Sequence, residues 1–124
     1  SVKDCLYVML LQSSNQAANA LAEHVAGSRE AFAGMMNETA ASLGCRESHF
    51  VNPSGLNDPE QLTSAYDMAQ IGSAVFNNPA LLEICSSTSA TLPPTINNPN
   101  GRTYYMEHKL VVTDNSEDEN YYPG

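Results

Sequence analysis

The sequence predicts a mainly α fold, with about five helices in residues 1–86 followed by two or three short strands in 87–124. Apolar residues recur at three- and four-residue spacing through the first part of the chain, as the buried stripe of an amphipathic helix requires. Serine, asparagine and glycine punctuate those stretches where helices start and stop. Beyond Thr88 the pattern changes to Thr- and Tyr-containing stretches separated by Pro93-Pro94 and by Asn97-Asn98-Pro99-Asn100-Gly101, which favours extended chain and turns.

Each element can be justified in order. Ser1-Val2-Lys3-Asp4 fits a capping box, and Val2, Leu6, Met9 and Leu10 form the stripe of a helix from about 2 to 12. A second stripe of Ala18, Leu21, Ala22 and Val25 follows Ser13-Ser14-Asn15 and stops at Gly27, a residue suited to the left-handed position after a helix. Ser28 caps the third helix, Glu30 complements its positive end, Phe32, Met35, Met36, Ala40 and Leu43 form its stripe, and Gly44 ends it. Residues 45–63 read as a short extended piece at His49-Phe50-Val51 and an ordered loop with turn chemistry in Asn52-Pro53-Ser54-Gly55 and Asn57-Asp58-Pro59. Ser64 to Asp67 is a second capping-box pattern, with Met68, Ile71, Gly72, Val75 and Phe76 as the stripe it opens. Asn77-Asn78-Pro79 closes that helix and starts a shorter one at 79–86. Extended stretches are expected at Thr88–Leu92 and Thr103–Thr113.

The 124 residues carry 5 Lys+Arg against 14 Asp+Glu, a formal charge of −9. That balance removes the basic footprint by which nucleic-acid and anionic-membrane binders hold phosphates, so nucleic acid is not an expected partner. Four of the acids, Asp114, Glu117, Asp118 and Glu119, lie within one six-residue stretch, which reads as a solvated loop, because it lacks the alternating pattern and terminal Glu of a calcium loop. The longest apolar run, Leu6 to Leu11, falls far short of the roughly 20 residues of a membrane span, and no signal peptide is recognisable. Cys5, Cys45 and Cys85 are odd in number and 40 residues apart. They form no metal motif and read as small buried hydrophobes, with one disulfide plus a free thiol as the alternative. His24, His49 and His108 share no ligand spacing, so neither a metal nor another cofactor is expected. Asp67 reads as the acid of its capping box rather than as a catalytic carboxylate.

The chemistry that the chain does suggest rests on Ser13-Ser14-Asn15. Taken alone, three polar residues at a helix start are an N-cap. The functional alternative is a hydroxyl that relays a proton and, two residues on, a carboxamide that grips a peptide carbonyl at the mouth of a cleft. The surrounding residues favour the second. The run from Leu10 to Ser28, together with Met36-Asn37, Ala41-Ser42-Leu43-Gly44, His49-Phe50-Val51-Asn52-Pro53-Ser54-Gly55-Leu56 and Ser64-Ala65-Tyr66-Asp67-Met68-Ala69, closely resembles the low-molecular-mass penicillin-binding proteins. Within them the likeness is to the serine D-alanyl-D-alanine carboxypeptidases, and it extends over essentially all 124 residues.

The resemblance implies the helical region of a β-lactamase/transpeptidase-like fold, α+β in the intact protein, so that residues 1–124 read as part of one domain cut from something larger. It implies that Ser13 and Asn15 are catalytic, with Ser13 passing a proton towards the leaving group and Asn15 also binding the substrate backbone. Enzymes of this type combine three motifs, Ser-x-x-Lys, Ser-x-Asn and Lys-Thr-Gly. Only the second occurs here. Lys3 and Lys109 are the only lysines and neither has a serine three residues before it, so the chain contains no nucleophile motif. It contains no Lys-Thr-Gly either, although Tyr121-Tyr122-Pro123-Gly124 resembles the stretch that leads into it. Ser14 stands where the family commonly has glycine, and Glu107-His108-Lys109-Leu110 where it often has asparagine. The implied partners are a peptidoglycan stem peptide ending in D-Ala-D-Ala and, for the intact enzyme, β-lactams; the implied location is the bacterial cell envelope outside the cytoplasm. Two other readings are a serine β-lactamase relative, for which Glu47 and Glu60 lack the context of a deacylating glutamate, and a non-catalytic helical module. Unpaired strands would also allow self-association.

Overall fold

In the computed structural model, which describes residues 1–107, the first helix is fixed by its own first residue. The Ser1 hydroxyl accepts from the Asp4 N–H at 3.2 Å while the Asp4 carboxylate reaches back to the N-terminal amine at 2.9 Å, a complete capping box that starts α1 (Val2–Gln12). Ser14, Ser28, Ser64 and Asn78 cap α2 (Asn15–Ala26), α3 (Arg29–Ser42), α4 (Ala65–Phe76) and α5 (Pro79–Cys85) in the same way, each accepting a backbone N–H of the first turn. Gly27 closes α2 at φ 81°. At the end of α3, Gly44 sits at φ 85° and sends its N–H to Ala41, while the Cys45 N–H reaches Ala40, the paired bonds of a Schellman motif. All five expected helices are present, with boundaries within a residue or two.

Two strands follow. β1 (Ser89–Leu92) and β2 (Arg102–Tyr105) pair antiparallel, with Ser89 opposite Tyr105 and Leu92 opposite Arg102, and a Thr91–Thr103 hydroxyl contact of 2.9 Å spans the ribbon. β2 is shorter than the expected 103–113; residues 108–113 of that stretch, like the acidic 114–119 segment and Tyr121–Gly124, lie outside the described residues. The turn returns through a single Thr95–Asn98 bridge and Gly101. Gly101 has φ 67°, and a Cβ there would lie 2.6 Å from the Leu92 carbonyl oxygen. No other residue fits without moving backbone. Gly101→Ala is expected to destabilise the ribbon by about 1–3 kcal/mol, read as faster amide exchange across β1 and β2 with α2 and α3 unchanged.

The helices stack so that α1 packs on α2, α2 on α3, and α1 also on α5 and the β1–β2 ribbon, while α4 meets α5. The core at these crossings is mostly alanine. Leu11, Ala17, Ala18, Ala22, Ala33, Ala40 and Ile84 are buried, so backbones approach closely and α2 is held on two sides. The larger stripes expected to be buried are not all covered, for Val25, Met35, Met68 and Phe76 remain 43–64% exposed. The alanines of the expected stripes, Ala18, Ala22 and Ala40, are the members that make the buried contacts. Between α3 and α4, which do not close on one another, Phe32, Met35, Met36, Leu43, Phe50 and Met68 line an open apolar groove of about 400 Å³.

Candidate active site

Ser13 stands at the junction of α1 and α2 with φ 51° and ψ 39°, the one non-glycine residue with positive φ among the described residues. The left-handed conformation costs a residue with a Cβ roughly 1–2 kcal/mol, and such departures concentrate where position matters more than ease of folding. The consequence here is a tight reversal. It allows Ser14 to adopt an extended conformation and cap α2 through a 3.3 Å bond from the Ala17 N–H. The capping serine is therefore Ser14. Ser13 is released from that work with its side chain exposed, and Asn15 becomes the first residue of α2, half-buried. Among the described residues, the Ser13 hydroxyl and the Asn15 carboxamide enter no hydrogen bond. The structure thus keeps both candidate groups on one short segment, as the spacing requires.

That segment is held from below. Leu11 is 1% exposed, and its carbonyl accepts the Glu107 N–H at 3.0 Å, which ties the chain leaving β2 to the last turn of α1. Ala17 and Ala18 are buried immediately after Asn15. Ser13 and Asn15 therefore project from a rigid junction rather than a loose loop, which is the arrangement that precise contact with a substrate needs.

Asp67 proves to have a different task from the one the sequence suggested. Ser64 does accept the Asp67 N–H, at 3.2 Å, but the Asp67 carboxylate does not complete a capping box. It turns away from the helix start to accept from the Glu47 N–H at 2.8 Å, the Ser48 hydroxyl at 2.8 Å and the Arg46 N–H at 3.3 Å. It is 1% exposed. Burial by itself pushes the carboxyl pKa up, and the three donors outweigh it, so the net shift is below the usual carboxylate value. The loop beyond is pinned further by the His49–Leu62 bridge, with N···O distances of 2.8 and 2.9 Å, and by Asn37, whose amide brackets both the N–H and the carbonyl of Phe50 at 2.7 and 2.8 Å. Sequence reasoning missed these roles because a capping pattern already accounted for Asp67, and Asn37 entered only as part of the family resemblance, with no role of its own.

The other titratable candidates are not brought together. His24 is exposed in the last turn of α2 and His49 lies in the loop bridge; His108 is outside the described residues. Among the described residues no group of three or more His, Cys, Asp or Glu side chains is placed to hold a metal. The three cysteines are free and only half-buried rather than core residues. The Cys45 thiol donates to the Asp67 carbonyl at 3.5 Å, and burial, followed by the nearby Asp67 charge, raises its pKa.

Comparison with known proteins identifies the family and the fold. The family profile described as D-alanyl-D-alanine carboxypeptidase matches residues 1–117. The D-alanyl-D-alanine carboxypeptidase DacC of Escherichia coli K12 is 42% identical over 78 residues, which are 63% of this chain and 20% of that protein. DacB2 of Mycobacterium tuberculosis is 38% identical over 87 residues, 68% of this chain and 30% of that protein. A crystal structure of a D-alanyl-D-alanine carboxypeptidase from M. tuberculosis superposes with a TM-score of 0.80 and 31% identity, over 90% of this chain and 41% of its own. A variant of the Streptomyces K15 DD-transpeptidase shares the fold, with a TM-score of 0.84 at 22% identity over 93% of this chain and 48% of its own. The chain spans less than half the length of each of these relatives. With a profile match over almost its whole length, it belongs to the D-alanyl-D-alanine carboxypeptidase family.

Proposed function

We propose that residues 1–124 form one wall of the active-site cleft in a longer serine carboxypeptidase that removes the terminal D-alanine from peptidoglycan stem peptides. The observation that carries this reading is the left-handed Ser13, which leaves the cap of α2 to Ser14 and keeps the exposed Ser13 and the half-buried Asn15 on one short segment, followed at once by buried Ala17 and Ala18. In the reaction, a serine from a Ser-x-x-Lys segment elsewhere in the longer protein attacks the carbonyl of the penultimate D-alanine and gives its proton to the lysine of that segment. The bond to the terminal residue breaks, Ser13 takes up that proton as it passes its own to the departing amine, and free D-alanine leaves. Asn15 donates to a peptide carbonyl of the substrate and keeps the scissile bond in register. Water then cleaves the acyl-serine ester. A β-lactam would acylate the same serine and leave slowly. A peptidoglycan substrate places the enzyme outside the cytoplasmic membrane; no helix among the described residues is long and apolar enough to cross one.

Ser13 cannot replace the missing nucleophile. An unactivated serine hydroxyl needs a neighbouring base, and among the described residues its hydroxyl meets none. The 124-residue chain incubated with a labelled penicillin is therefore expected to show no mass increase in intact-protein mass spectrometry, and a stoichiometric adduct would overturn this division of labour. For the longer protein, D-alanine release from a D-Ala-D-Ala peptide is expected to exceed hydrolysis of a β-lactam. The reverse ratio would make it a β-lactamase.

A further inference from the structure

We propose that Asn19 is a second peptide-gripping carboxamide, one helical turn beyond Asn15, and that the cavity it lines receives the upstream part of an extended peptide substrate. This rests on the carboxypeptidase reading above and extends it along the cleft wall. Asn15 and Asn19 are four residues apart within α2, so their side chains lie on the same face, separated along the axis by about 6 Å. An extended peptide advances about 6.6–6.8 Å in two residues and turns the same edge outward at each such step. Two carboxamides at this spacing match alternate peptide groups of one extended chain lying along α2.

The surroundings of Asn19 fit the same ligand. It lines a cavity of about 250 Å³ with Arg29, Glu30, Val51, Asn52, Ser54 and Leu56. The loop's own polar groups are already engaged. The Asn52 amide donates to the Leu56 carbonyl at 2.9 Å and its oxygen accepts from the Gly55 N–H at 2.8 Å, while the Ser54 hydroxyl donates to that oxygen at 3.2 Å. The Asn19 carboxamide has no hydrogen bond among the described residues. Asparagine inside a helix is also a poorer choice than alanine, and neither the core nor the loop uses what this one offers. Val51 and Leu56 supply apolar contact for a substrate side chain. Arg29, whose Nε stands 3.8 Å from Glu23, leaves most of its donors for the rim.

The test compares two substrates on the full-length enzyme, an N-acetylated D-Ala-D-Ala dipeptide and a pentapeptide with the same C-terminus. Asn19→Ala is expected to lower kcat/KM for the pentapeptide about three- to tenfold, the effect of one neutral hydrogen bond, and to leave the dipeptide unchanged. Asn19→Gln, which restores the amide on a longer stem, should recover part of the loss. An equal loss on both substrates would reduce Asn19 to a structural role, and no loss on either would remove it from the substrate path; both overturn the proposal. A wild-type enzyme that releases D-alanine from neither peptide overturns the carboxypeptidase reading itself, and this extension with it.

Discussion

Ser13→Gly is expected to make the protein more stable and the full-length enzyme nearly inactive. At φ 51° and ψ 39° the serine occupies a conformation that glycine adopts without its steric cost. Removing the Cβ should stabilise the folded chain by about 1 kcal/mol, less what glycine's extra freedom gives to the unfolded state. The hydroxyl is lost at the same time. A positioned proton-transfer group contributes on the order of 10²–10⁴ in rate, so kcat/KM for D-alanine release should fall by about that factor. Ser13→Ala separates the two effects, since it deletes the hydroxyl but keeps the strained Cβ. It should match the activity loss and show no gain in melting temperature. If the glycine variant melts lower than wild type, the left-handed backbone is not a source of strain. If the alanine variant keeps full activity, Ser13 is not the proton relay.

Asp67→Ala is expected to release the loop from residue 45 to residue 63. The carboxylate collects two backbone N–H groups and one hydroxyl in a site with 1% exposure. Alanine leaves those donors without an acceptor, and an unpaired buried donor costs more than a hydrogen bond is worth on balance. Amide exchange at Arg46 and Glu47 should accelerate by about 10- to 100-fold, while α1 and α2 stay protected. The same contact sets an acid limit. Because the folded carboxyl pKa lies below the unfolded one, the contribution is complete above the unfolded value of about 3.9 and is lost as pH falls through the folded value. Wild-type melting temperature should therefore drop on acidification below about pH 4. Asp67→Ala should lack that component of the drop, and a variant that retains it would assign the acid sensitivity to another carboxylate.

Local signals in the sequence read well because they act locally. A serine three residues before a free N–H, or a glycine at a left-handed position, needs no tertiary partner to do its work, and all five helices were legible on that basis. Ser13 and Asn15 stood out only through resemblance, since a cap pattern covers the same residues, and in the structure that cap falls to Ser14. Asp67 was misread for the opposite reason. Its capping role is half true, and the other half depends on the backbone of Arg46 and Glu47 and the hydroxyl of Ser48, about twenty residues away in sequence. The apolar stripes were found but not what covers them. Periodicity identifies a face and says nothing about whether a small alanine or a large methionine makes the contact.

The open groove between α3 and α4 gives the cleft a dependence on assembly. α2 carries Asn15 and leans on α3, and α3 presents Phe32, Met36 and Leu43 to an uncovered apolar channel. Covering such side chains releases on the order of several kcal/mol, a large share of what a domain this size possesses. Under the proposed reading, covering that channel with the remainder of the longer chain would further steady α3 and, through it, the angle at which α2 presents its carboxamides. Catalytic competence would then be a property of the finished domain and not only of the segment that carries the motif.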